Sequence, residues 1–293
     1  MKITKQIFGS TLLTLTGLLS AGLLSTDLGA ATMPTLKGNE TLWLVDQAHQ
    51  LIKVKVAAPD KIVEQKALSG LATGETLVGI DYRVAYGVLF ALSDKGQLYS
   101  IDTGTGKVTA TGPVLPADTL KKGQFGFDFN PVADRIRVVN EHGQNLRLHP
   151  ETAALASVDP ELKYADKDAN FGKKPTVVAA AYTYNQQDST LTTNYAIDKT
   201  NGTLVTQGSK EGTTPAVSPN TGQLFTVGSL GLQSLQQIAF DISDLSNLSF
   251  IAVSTTAVPA STLYQLDLQT GQHKKLGTLA DGQALLGMAI ELK

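Results

Sequence analysis

Apolar and polar residues alternate along this chain with a period of two, in short runs, and no long stretch keeps a helical period. Val, Ile, Tyr, Phe and Thr fill the runs, while Gly, Asn and Asp separate them, as in strands joined by tight turns. One unit recurs: strand, Asp, turn, strand. It reads LYSIDTGTGKV at 98–108, NYAIDKTNGTL at 194–204 and LYQLDLQTGQHKKLG at 263–277. Asp102, Asp198 and Asp267 open these turns, where a short carboxylate accepts from nearby backbone and Gly supplies a positive φ. The segment TGTGKVT at 103–109 looks like part of a phosphate loop. The Gly that such a loop needs is replaced by Ile101, so the segment reads as a hairpin turn.

A longer repeat is laid over the short one. Residues 77–108 and 124–155 align without a gap, with Gly79, Asp81, Gly96 and Gln97 on Gly126, Asp128, Gly143 and Gln144. A repeat of that size in a strand-rich chain predicts an all-β fold of the β-propeller type. Five units can be marked, at 41–68, 76–112, 124–158, 176–208 and 238–279. The first lacks an inner strand, and ALLGMAI at 284–290 matches TLVGIDY at 76–82, with Gly287 on Gly79. Five blades are therefore expected, closed by the C-terminal strand pairing into the N-terminal blade, which hides two sheet edges. Gly79, Gly126, Ala239 and Gly287 stand at matching places, where inner strands crowd the axis. Residues 209–237 read as an irregular connection with room for part of another blade.

Composition narrows the class. The chain has 293 residues, 42% apolar and 17% charged, enough for one large all-β domain over 32–293. Residues 1–31 read as a leader: Lys2 and Lys5 are basic, Ile7 to Leu24 is apolar, and Gly29, Ala30 and Ala31 suit cleavage. Export to the periplasm or the medium is expected, with cleavage near Ala31 and no stable membrane insertion afterwards. A formal charge of −2 without basic blocks argues against nucleic acid as a partner. With no Cys there are no disulfides, thiolate nucleophiles or Cys-bound metals. A monomer is expected.

Three polar groupings carry candidate chemistry. The first lies in the third unit: Asp128, Asn130, Asp134, Arg135, Arg137, Asn145 and Arg147. Arg135 and Arg137 share a strand face and replace Val88 and Phe90 of the second unit. Such a pair either clamps an anionic ligand or braces the blade through ion pairs, with Asp128 and Asp134 as the nearest acids. Internal pairing is the expected outcome. The second is Asp166, Asp168 and Asn170 before Gly172, oxygen ligands at alternate positions that suit Ca²⁺, although the full calcium-loop spacing is missing. The third is Asp81, Asp128 and Asp241 on the inner strands, which either hold a cation in the channel or serve as inter-strand hydrogen-bond acceptors. The four His show no zinc spacing, no G-x-S-x-G elbow occurs, and Trp43 reads as core.

The phrases FGFDFNPVADRIRVVNEHGQNLRL at 125–148 and VVAAAYT at 177–183 resemble a bacterial family of exported proteins known as domain of unknown function 4394. The resemblance runs over residues 40–290. It implies an exported β-propeller-like protein and assigns neither an activity nor catalytic residues. The expected role is that of a binding or scaffold protein for a small molecule or an envelope or extracellular component. The alternatives are a Ca²⁺-dependent hydrolase of the propeller lactonase type and a structural envelope or matrix module.

Overall fold

Five antiparallel sheets form the five blades of a β-propeller. The computed structural model describes residues 33–280 and 282–292, and the expected leader over 1–31 lies outside them. Blade two runs outward from the inner strand Leu77–Arg83 through Val88–Ser93 and Leu98–Ile101 to Val108–Thr111. Blade three repeats this with Phe125–Asn130, Arg135–Asn140, Asn145–Leu148 and Leu155–Val158. Blade four comprises Val177–Tyr182, Asn194–Asp198, Thr203–Gln207 and Gln223–Ser229, and blade five Leu235–Ile242, Ser249–Thr255, Thr262–Leu266 and His273–Thr278. Blade one is built from both ends of the sequence. Its inner strand is Leu285–Ile290, followed by Thr41–Asp46, Gln50–Lys55 and Ala58–Ala67. Trp43 stands opposite Ala289 and Val45 opposite Gly287, which is the expected closure.

Blade four departs from the sequence reading in two ways. The connection at 209–237 is not wholly irregular, since Gln223–Ser229 supplies the outer strand of this blade. Its Gly and Thr residues mask the strand pattern, and its burial is partial because it lies in the outer part of the blade. Beyond it, Lys163–Tyr164 adds a short parallel strand, tied in by Tyr164 Oη donating to Asp198 at 2.6 Å. Asp198 is thus a turn opener and an anchor at once, because its other oxygen accepts from Thr200 and Asn201 N–H. Asp102 and Asp267 cap their turns alone, through Gly104 and Thr105 and through Gln269 and Thr270.

The core consists of five apolar clusters, each shared by two adjacent blades. Trp43, Leu51 and Leu77 join blades one and two, while Phe90, Phe127 and Leu146 join two and three. Apolar burial therefore acts between blades and around the ring, and Trp43 is a core residue. At the axis the small residues are needed for contact. A Cβ on Gly79 would lie 2.6 Å from Phe127 Cβ, on Gly126 2.5 Å from Ala180 N, and on Gly287 2.9 Å from Ile80 N. Among the described residues no helix is long and apolar enough to cross a membrane.

Two stability predictions follow from closure and crowding. Gly126→Val forces a side chain into the next inner strand and should cost roughly 1–3 kcal/mol in urea unfolding. Deleting residues 284–293 exposes the edge of Thr41–Asp46 and opens the ring, so cooperative melting should be lost and aggregation should appear. A truncated chain that melts like the whole one would show that this strand does not hold the ring.

Candidate functional site: the axis and its two ends

The inner strands carry one short phrase in five versions: Gly79–Tyr82, Gly126–Phe129, Ala179–Tyr182, Ala239–Ile242 and Gly287–Ile290. The third position is Asp81, Asp128, Ala181, Asp241 and Ala289 in turn. Carboxylate oxygens of the three Asp lie within 4.8 Å of one another, and all three residues are buried. Each accepts an amide N–H from the next blade: Asp81 from Phe129 at 2.7 Å, Asp128 from Tyr182 at 3.0 Å and Asp241 from Ile290 at 2.6 Å. In the two blades that follow an Ala, the local Asp turns back to its own neighbour. Tyr82 N–H donates to Asp81 and Ile242 N–H to Asp241, both at 2.7 Å. Three carboxylates thus satisfy one axis-facing amide from each of the five inner strands, which have no strand partner on that side.

Both readings of these acids made from the sequence meet in this geometry. They are inter-strand acceptors, and they also form a group of the size that holds a cation. Burial pushes all three carboxyls upward, and mutual repulsion adds to it for Asp81 and Asp128. Asp241 is pushed up to about 7, chiefly by burial. Asp244, at the blade-five end of the axis, is raised to about 8 by burial and by Asp241. The narrow channel beside them, lined by Gly79, Gly126, Ala180 and Gly287, holds about 20 Å³, room for one water-sized particle.

At one end of the inner strands the channel widens into a mouth of about 420 Å³. Its apolar wall has a definite origin. Strand pairing slips between Leu77 and Gly79, between Val177 and Ala179, between Leu235 and Ile238, and where Leu285 and Gly287 face Asp46 and Val45. These bulges release Val78, Val178, Gln237 and Leu286 from the ladder and turn them into the mouth, beside Phe125 and Ile238. Lys95 and Lys122 stand at its rim. Gln124 adds a polar point. Its amide donates to Gln236 O at 2.6 Å, which fixes its orientation, while its Oε1 is buried without a protein donor. A further cleft of about 590 Å³ shares Asp94, Lys95 and Lys122 and continues along residues 114–121.

At the opposite end lie the residues of the third-unit cluster, though not in the pairs expected. Asp128 is held at the axis by Tyr182 N–H. Asp134 is taken by Arg83 of blade two, whose Nε donates to it at 2.8 Å, and this contact holds the Asp134 carboxyl low. Asn130 caps its own turn by accepting from Val132 and Ala133 N–H. Arg137, 2% exposed, instead meets Asp159, an acid outside the cluster as read from the sequence, at 2.7 Å. It also donates to Tyr182 Oη, Asn145 Oδ1 and Asn220 Oδ1. Arg147 grips the same Asp159 with Nε and Nη2, at 2.8 and 2.9 Å. Burial works against the charge of Asp159, but Arg147, Ser157 and Arg137 outweigh it and keep its carboxyl below the usual value. Internal pairing of Arg137 is thus the arrangement found, with a different partner. Arg135 remains half-buried and donates only to the Ala133 and Asp134 carbonyls among the described residues.

The 166–170 loop is drawn to blade four. Asp168 accepts from Asn170 N–H and from the hydroxyl and N–H of Thr226, and Asn170 bonds Thr226 and Lys173. Asp166 is exposed and stands apart from this network. Arg83, Asp159, Tyr182, Asn220 and Gln124 escaped the sequence reading. Only the Asn145–Asp159 interval, where the third unit ends, carried a hint. Asn220 lies on another blade and Gln124 owes its role to one orphaned oxygen.

The axial acids set a direction of pH dependence. An acid whose folded pKa exceeds its unfolded value binds its proton more tightly in the folded state, so stability falls as pH rises between the two values. The melting temperature should therefore decline as pH rises from about 4, the unfolded value, through about 7, where Asp241 titrates. Asp134 and Asp159, held low, act in the opposite sense and only below the unfolded value. Thermal melts across this range on the whole chain and on Asp241→Asn check the assignment, the variant being expected to show a shallower decline. Equal slopes would remove Asp241 from it.

Among solved structures, a chain of a nidogen/laminin complex is similar at 11% identity and a TM-score of 0.48, over 86% of this chain and 98% of that one. A structural genomics protein of unknown function from Bacteroides thetaiotaomicron matches at 12% and 0.48, over 86% of this chain and 61% of its own. A putative 6-phosphogluconolactonase from Bacteroides uniformis matches at 12% and 0.42, over 84% of each chain. These scores carry no argument about chemistry. No curated protein matches this chain. The sequence model described as Domain of unknown function (DUF4394) covers residues 50–289, and on that extent the chain belongs to the DUF4394 family.

Proposed function

We propose that this chain is an exported binding protein whose ligand enters the mouth of the channel. The observation that carries the reading is the mouth itself: about 420 Å³, walled by residues that bulges have released from the ladder. Pairing irregularities that leave Val78 and Leu286 partly exposed give up hydrogen bonds and apolar burial. A mouth with an apolar floor and few polar points suits a small amphipathic molecule. Lys95 and Lys122 favour an anionic group at the rim, and Gln124 Oε1 calls for a hydroxyl or N–H donor deeper in. Export is supported by the basic, apolar and small-residue order of 1–31.

The test uses anilinonaphthalene sulfonate, which combines an apolar body, a sulfonate and an N–H. The folded chain should enhance its fluorescence with saturation, and Val78→Glu and Lys122→Glu should each remove most of the enhancement while melting normally. No saturable enhancement, or enhancement that survives both changes, would overturn this reading.

A second reading rests on the axial acids. Three carboxylates within 4.8 Å supply part of a Ca²⁺ shell, as a metal-dependent hydrolase of this architecture would need. Five amide N–H groups already compete for the same oxygens. On this reading millimolar Ca²⁺ at alkaline pH raises the melting temperature and a chelator reverses it. Identical curves would leave the acids as amide acceptors alone.

A further inference from the structure

The cleft at the far end of the inner strands has a charge that its own residues do not balance. It holds about 170 Å³ and lies between blades three and four. Arg135, Arg137 and Arg147 all line it, together with Tyr182, Ser218 and Asn220. The acid among their bonding partners is Asp159, shared by Arg137 and Arg147. Asp134, the other acid close by, is engaged by Arg83 and offers Arg135 only its backbone carbonyl. Three guanidinium groups facing one carboxylate leave an excess of positive charge.

The donors that remain point to the kind of group that would balance it. Among the described residues, Arg135 Nε and Nη2 and Arg147 Nη1 make no hydrogen bond within the protein. Arg137 is immobilised by four side chains and keeps its charge beneath the cleft. Guanidinium forks match the oxygens of tetrahedral anions, and a buried fixed charge strengthens such contacts by lowering the cost of ordering the site. We propose that this cleft binds a phosphate or sulfate group, with Arg135 and Arg147 as direct donors and Arg137 as the fixed charge behind them. The site is separate from the mouth and does not depend on the role proposed there, since the two lie at opposite ends of the inner strands.

The experiment measures inorganic phosphate and sulfate against chloride at matched ionic strength, by thermal shift and by titration calorimetry on the whole chain. Phosphate and sulfate should raise the melting temperature with saturation, and chloride should not. Arg135→Gln, at a half-buried position without a side-chain partner, should keep the chloride-buffer melt and weaken phosphate binding about tenfold, the loss of one charged hydrogen bond. Arg147→Gln should weaken it as well, while Lys122→Glu at the mouth should leave it unchanged. Methyl phosphate separates the sources: equal binding indicates an ester carried by a larger molecule, and its exclusion indicates the free anion. No saturable phosphate or sulfate response beyond chloride, or one that Arg135→Gln leaves intact, overturns the proposal.

Discussion

Five strands that converge on one axis face a double constraint. Where they come closest there is no room for side chains, and three residues further on each presents an amide N–H to a channel without a strand to receive it. The chain answers the first with Gly79, Gly126 and Gly287, where a Cβ would press into the next blade. It answers the second with Asp81, Asp128 and Asp241, which between them take the amides of all five blades. The two Ala positions are tolerated because Asp81 and Asp241 each use both oxygens. Ring geometry, channel width and the raised pKa values of the axial acids all descend from this arrangement.

The same constraint shapes both ends of the channel. Toward the mouth, four of the five inner strands slip out of register just before the small residues, and the released side chains become an apolar wall. Toward the other end, the strands finish in polar turns, and blade three brings its arginines to the seam with blade four. One end is thus apolar with two lysines at its rim, and the other is polar and cationic. Binding energy at the first would come from surface removed from water, and at the second from charged hydrogen bonds held in place by a buried guanidinium.

The acids of this chain meet opposite fates. At the axis the amide bonds do not compensate for the loss of water, so the carboxyls are driven toward their neutral forms. At Asp159 and Asp134 arginine supplies a full opposite charge, and the carboxyls stay ionised. Partner charge and depth of burial act together here, since the axial acids are the most deeply enclosed and face no cation among the described residues, while Asp134 is partly exposed beside Arg83.

The sequence by itself determined the class of fold and most of its order. Period-two runs, the aligned copies at 77–108 and 124–155 and the match of 284–290 to 76–82 are enough for five blades and their closure, because each follows from local pattern and chain connectivity. The axial Asp and Gly positions were legible for the same reason, as each recurs on three of the five repeats. What tertiary structure alone decided are the partners. Arg137 meets Asp159 and Asn220, and Arg83 meets Asp134, across gaps that no spacing encodes. The outer strand Gln223–Ser229 stayed hidden because a partly exposed strand at the rim of a blade needs little alternation. The mouth exists because bulges rotate residues that a regular ladder would have kept within the sheet, and register is settled only when neighbouring blades pack.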